Sequence, residues 1–162
     1  MPEVPHDTFA DRRETAVEGQ PVVDPADWTA TQIAATDDWC YQLDRREIDE
    51  LHSAVSLHDS ESLDLMTLGR NAFDLPQLAP VLFDLRHELL YGRGFALLRG
   101  LPVDEFGKRA TTLAFWAIGQ YMGDDVLSQN KHGHVLGHVT DIGESRSNPS
   151  QRGPYSREEI PF

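Results

Sequence analysis

Five leucines, Leu75, Leu78, Leu82, Leu85 and Leu89, recur at spacings of 3, 4, 3 and 4, the strongest apolar periodicity in the chain. That period puts them on one face of an α-helix, which Gly92 and Gly94 then end. Residues 95–98 follow as a short apolar run closed by Gly100, Leu101 and Pro102, the pattern of a buried strand and a turn. Asp104 stands where the N-cap of a second long helix belongs. Phe106, Ala110, Leu113 and Ala117 share one face of it, Phe115, Ile118 and Met122 broaden that face, and Gly123 is its stop. Upstream, Asp44 and Glu47 lie three apart ahead of Ile48, Leu51 and Val55, which predicts a capping box and a short amphipathic helix. Asp24 and Pro25 read as another helix start, burying Trp28 and Ile33. Residues 134–142 alternate loosely between Gly133 and Gly143 as a strand would, and residues 159–162 open a further one.

The predicted order is three or four helices with two or three strands. Helices with apolar faces need something to cover, and so few strands do not make a stable sheet. The fold class expected is therefore α+β, with most of the sheet missing from the visible pattern. No internal repeat is present.

Length and charge narrow the function classes. The 162 residues suffice for one domain with a single core, and 40% hydrophobic with 25% charged residues is a globular composition. The formal charge of -13 is concentrated: residues 1–75 carry 17 Asp/Glu against 5 Lys/Arg. An electrostatic footprint for nucleic acid or an anionic membrane is thereby excluded. Residues 1–23, without periodicity, read as a mobile acidic arm, and residues 24–162 as the folded domain. No run approaches eighteen apolar residues, and the N-terminus lacks the pattern of a secretory signal. The single cysteine, Cys40, fits a reducing compartment, so a cytoplasmic location is expected; beside Trp39 in acidic surroundings it reads as packing, not as a nucleophile.

Candidate chemistry is sparse. His132, His134 and His138 have the spacing to share one face of a strand, but Gly133 and Gly137 break the register, and surface histidines outweigh a metal site there. His52 and His58 read as surface residues for the same reason of context. Gly92-Arg93-Gly94 follows a helix and opens a strand, the reverse of a phosphate loop, so it reads as a helix stop and turn. No Gly-x-Ser-x-Gly elbow exists. Ser128, Gln129, Asn130 and Lys131 are four polar residues between a long helix and a strand. Amides there both donate and accept, which suits a carboxylate or amide substrate, against the plainer reading of a solvated turn.

Several blocks in order resemble the N-terminal half of the taurine dioxygenase (TauD/TfdA-like) family of iron(II)/2-oxoglutarate-dependent oxygenases. They are residues 92–104 (GRGFALLRGLPVD), 114–119 (AFWAIG), 127–133 (LSQNKHG), 139–143 (VTDIG) and 152–162 (RGPYSREEIPF). The resemblance implies a double-stranded β-helix (jelly-roll) core with N-terminal helices beside it, of which this chain would hold the helices and the first strands. It also implies Fe(II) held by a His-x-Asp/Glu pair and a distal His, with 2-oxoglutarate held partly by an Arg. In relatives the stretch matching Glu159, Ile160, Pro161 and Phe162 runs directly into that pair, and residues 1–162 contain no His-x-Asp or His-x-Glu. The expectation is therefore an N-terminal part of such an enzyme, inactive alone, with no catalytic or metal residue of its own and no cofactor bound by it. Gln129 and Asn130 are the candidate substrate contacts, and the substrate class implied is a small carboxylate-, sulfonate- or amino-acid-type metabolite. A non-catalytic binding module using exposed helix faces, and a small metal-binding protein built on His132, His134 and His138, are the competing readings.

Overall fold

Residue Pro76 decides where the leucine-rich helix begins. A proline holds the preceding residue out of the helical region, so Leu75 precedes the helix instead of joining it, and the helix spans Leu78–Tyr91. The computed structural model describes residues 17–60, 64–123 and 135–137. The chain divides into two compact units, Met1–Asp124 and Asp125–Phe162, and the elements described all belong to the first. In chain order they are α1 (Ala30–Ala34), β1 (Cys40–Gln42), α2 (Arg45–Ser56), two 3-10 turns (Leu65–Thr67 and Arg70–Ala72), α3 (Leu78–Tyr91), β2 (Leu97–Arg99) and α4 (Val103–Met122).

The capping box of α2 forms as expected. The Asp44 carboxylate accepts from the N–H groups of Arg46 and Glu47 at 2.7 and 2.9 Å, and Glu47 reaches back to the Asp44 N–H at 2.8 Å. Glu47 is itself buried, and its second oxygen accepts from the Tyr41 hydroxyl at 2.6 Å. One carboxylate thus caps α2 and ties it to β1. The start of α3 is capped from a distance: Glu50 on α2 accepts from the N–H groups of Gln77 and Leu78 at 2.9–3.1 Å, placing negative charge at a helix N-terminus.

Two predicted starts move. Asp24 does not begin a helix; its side chain and carbonyl accept from Ala26 and Asp27 in a single turn, with Pro25 inside it. The helix begins instead at Ala30, because Thr29 and Gln32 make their own capping box, and both Trp28 and Ile33 stay outside the core. Asp104 lies one residue inside α4, where the Pro102 carbonyl accepts from Glu105 and Phe106; Asp104 and Glu105 therefore act on the helix dipole, not as caps. Gly107, at φ 68°, breaks α4 after its first turn, a conformation that a residue with a Cβ adopts only with strain.

The run around Phe95 does become a strand, but not a buried one. β2 pairs in parallel with β1 in the register Cys40 to Leu97, Tyr41 to Leu98 and Gln42 to Arg99, and its pattern alternates, with Leu97 exposed. A parallel pair requires a long crossover, supplied here by α2 and α3. Cys40 is a half-buried free thiol on β1 and not a core residue.

The helices cover one another. α4 packs against both α2 and α3, and the core joins Leu51, Ala54 and Val55 of α2, Leu78 and Leu82 of α3, and Leu113, Ala114, Trp116, Ala117 and Tyr121 of α4. Leu68, Phe73 and Leu75 enter from the segment before α3. The expected need for a sheet under the helices is thus met, in this unit, by other helices. Leu85 and Leu89 are only half-buried, and Phe115, expected on the inner face, is 64% exposed. The expected strand over residues 134–142 lies outside the described residues, apart from 135–137, which form a bend; residues 159–162 lie outside them entirely.

The Tyr41–Glu47 bond yields a spectroscopic prediction. Hydrogen bonding to the Glu47 carboxylate, helped by burial, pushes the Tyr41 phenol up to about 12. A raised folded-state value means that the bond's contribution is intact below the ordinary phenol range near 10 and is lost as pH climbs through about 12. Absorbance titration at alkaline pH should show Tyr41→Phe losing amplitude from the late-titrating tyrosinates, to which Tyr121 also belongs; a loss confined to the ordinary phenol range would reject the pairing.

Candidate functional site

The candidate substrate contacts, Gln129 and Asn130, lie outside the described residues, as do His132, His134 and His138. What is described is the framework from which that segment departs, the second half of α4. Its register is set by three long-range hydrogen bonds to the irregular stretch before α3. Trp116 Nε1 donates to the Leu68 carbonyl at 2.8 Å, and the Tyr121 hydroxyl donates to the Phe73 carbonyl at 2.6 Å, both in buried surroundings. Arg70 Nε donates to the Gln120 carbonyl at 3.0 Å. That carbonyl is one of the last four of α4, which have no partner within the helix, so a cation near the helix C-terminus satisfies it and complements the dipole.

The same guanidinium lies over two aromatic rings. Arg70 Cζ lies 5.5 Å from the Phe83 centroid and 5.6 Å from that of Tyr121, and these two rings meet edge to face at 5.9 Å. Burial raises the Tyr121 phenol above its ordinary range, so it stays a proton donor. α4 then ends at Gly123, whose N–H closes on the Gly119 carbonyl. Gln129 follows six residues later in the chain.

The described histidines serve packing. His58 Nε2 lies 2.7 Å from the Ala72 carbonyl and its ring meets Phe73 at 5.2 Å, so it links the end of α2 to the second 3-10 turn. His52 is exposed against Phe106, and His87 against Tyr91. Among the described residues no group of three His, Cys, Asp or Glu could hold a metal ion. Arg93 and Arg109 are committed to carboxylates, Arg93 to Asp38 and Glu88 and Arg109 to Asp59. The described donor set therefore does not fit an iron centre. Sequence reasoning missed Arg70 and Arg93 as organisers because their partners lie 50 and 55 residues away, a separation that no local pattern encodes.

A family model for the taurine catabolism dioxygenase TauD, TfdA family matches residues 57–159, well over half of the chain. The chain belongs to this family. The TauD/TfdA match takes in the 3-10 turns, α3, β2 and α4. Among curated relatives, FR-33289 synthase from Streptomyces rubellomurinus is 26% identical over 144 residues, covering 88% of this chain and 42% of that protein. Taurine hydroxylase-like protein SAT17 from Stachybotrys chartarum is 27% identical over 114 residues, covering 70% of this chain and 30% of that protein. The chain thus spans less than half the length of these two relatives. Among the described residues, no helix is long and apolar enough to cross a membrane.

The framework bonds predict a measurable cost. Tyr121→Phe keeps the ring but leaves the buried Phe73 carbonyl without its donor, a loss of about 1–3 kcal/mol. Urea denaturation should show this, while removal of the exposed Arg45–Asp49 pair by Arg45→Ala should change stability by less than about 1 kcal/mol. Equal midpoints for Tyr121→Phe and the parent would show that the bond does not matter.

Proposed function

We propose that this chain is the N-terminal part of an Fe(II)/2-oxoglutarate-dependent dioxygenase with a jelly-roll core. Such an enzyme couples oxidative decarboxylation of 2-oxoglutarate to hydroxylation of a small carboxylate-, sulfonate- or amino-acid-type metabolite. The family match over residues 57–159 carries this reading, and the similarity to a taurine hydroxylase-like protein supports it. The iron ligands are assigned outside residues 1–162, which contain no His-x-Asp or His-x-Glu pair. The role assigned to residues 1–162 is to frame the substrate site and supply contacts to it: α4 is pinned at its end by Arg70 and Tyr121 and leads into the segment carrying Gln129 and Asn130. In this reading their amides hydrogen-bond the substrate's anionic group.

Two measurements test it. Purified residues 1–162, supplied with Fe(II) and 2-oxoglutarate, should form no succinate above background; succinate formation would overturn the assignment of the ligands elsewhere. In a protein extending through the whole family domain, 2-oxoglutarate turnover should appear once a substrate is found by screening small carboxylates and sulfonates. There, Gln129→Ala or Asn130→Ala should raise substrate KM on the order of tenfold, with kcat changed far less. Unchanged KM in both variants would remove these residues from the site.

A further inference from the structure

The stretch ahead of β1 is attached to the rest of its unit without a core of its own. No residue from Val17 to Trp39 is buried, and α1 contributes none to the core. Its internal bonds are local: the Asp24 turn, the Thr29–Gln32 capping box, and the Thr36 hydroxyl on the Asp38 carboxylate at 2.6 Å. Among the described residues, Trp39 Nε1 holds the Ile33 and Thr36 carbonyls at 3.3 and 2.9 Å, and the bonds to the far side of the unit converge on one residue, Arg93, in the turn between α3 and β2. Arg93 Nη1 and Nη2 donate to the two Asp38 oxygens at 2.8 and 3.0 Å. Its Nε and its backbone N–H both donate to one Glu88 oxygen, at 2.5 and 3.0 Å. Its carbonyl accepts from Trp28 Nε1 at 2.9 Å. Each nitrogen of Arg93 and its carbonyl oxygen therefore makes a bond, and the bonds join three places: the last turn of α3, the turn before β1, and the head of α1.

The apolar part of the attachment is small. Trp28 meets Phe95 edge-on at 5.0 Å and Trp39 meets it at 6.0 Å, while Trp28 remains 42% exposed. The clasp is wet on one side: the Asp38 side chain is 64% exposed, and that of Arg93 only 19%. An attachment with few buried contacts opens at lower free energy than the core, and one held by solvent-exposed charge is screened by salt. We propose that residues 24–38 form a strap that undocks as a unit, that Arg93 is its clasp, and that salt loosens it, uncovering the Phe95 ring at the entry to β2. The proposal is independent of the functional reading above, because it concerns only the joint between the strap and the α3–β2 turn.

Hydrogen exchange read by mass spectrometry on the full 162-residue chain tests it. The amides of Ile33, Ala35 and Thr36 are hydrogen-bonded inside the strap. In Arg93→Met they should exchange on the order of tenfold faster than in the parent, while the amides of α2 and α4 keep their rates. Raising NaCl from about 0.05 to about 0.5 M should speed strap exchange in the parent and leave Arg93→Met unaffected. Arg45→Met, which removes an exposed pair on α2, should leave the strap unchanged. Strap amides exchanging at the parent's rate in Arg93→Met, or α2 and α4 losing protection together with the strap, would overturn the proposal. Should Arg93→Met fail to fold, Asp38→Asn cuts only the strap's end of the clasp and is read by the same two criteria.

Discussion

The described unit depends on how the backbone between α2 and α3 finds hydrogen-bond partners. Two 3-10 turns and their flanks carry Leu68, Phe73 and Leu75 into the core. An irregular stretch has no ladder to satisfy its buried carbonyls, and an unsatisfied one costs about 1–3 kcal/mol. α4 supplies the donors: Trp116 to Leu68 and Tyr121 to Phe73. Those bonds fix the rotation of α4, which in turn sets which of its residues meet α2 and α3. The exposure of Phe115 beside buried Ala114 and Trp116 follows from that rotation.

A second theme is the use of arginines to reconcile an unevenly charged chain. The first 75 residues carry most of the negative charge, and basic residues from later elements reach back to it. Arg93 pairs with Asp38 of the strap as well as with Glu88. Arg109 on α4 pairs with Asp59 just after α2 and also donates to the Ser60 carbonyl. Within the acidic part, Glu47 and Glu50 are spent on caps, one for α2 and one for α3. Much of the acidity that reads as a solvated surface is thus structural. Arg70 works differently, with its charge held over two rings and against a helix end.

Local signals were legible where the physics is local. The Asp44–Glu47 box formed because cap and partner lie three residues apart, within the reach of one helical turn. Gly92 and Gly123 ended their helices, and Gly94 took the positive φ of a tight turn. Asp24 and Asp104 misled because aspartate stabilises single turns and first helical turns as well as caps, and a neighbouring Thr29 or Pro102 held the better position. The parallel pairing of β1 with β2 was invisible, since strands of three residues carry almost no periodicity and their partners are far apart in the chain. The candidate site was legible only through ordered motif blocks, and the family match over residues 57–159 supports those blocks without reaching the level of Gln129 and Asn130 as individual contacts.

The amino-acid sequence by itself determined the family, the existence of α2, α3 and α4, and the residues on which each helix begins to be apolar. These are properties of composition and short-range spacing, which a single chain segment expresses without reference to the rest. Tertiary structure alone decided that the helices bury one another, that Glu50 caps α3, that Tyr121 and Trp116 serve carbonyls 48 residues away, and that Arg93 fastens a strap with no core. Each of those depends on a donor and an acceptor brought together by packing, and hydrogen-bond geometry, unlike helical period, leaves no mark on the spacing of residues along the chain.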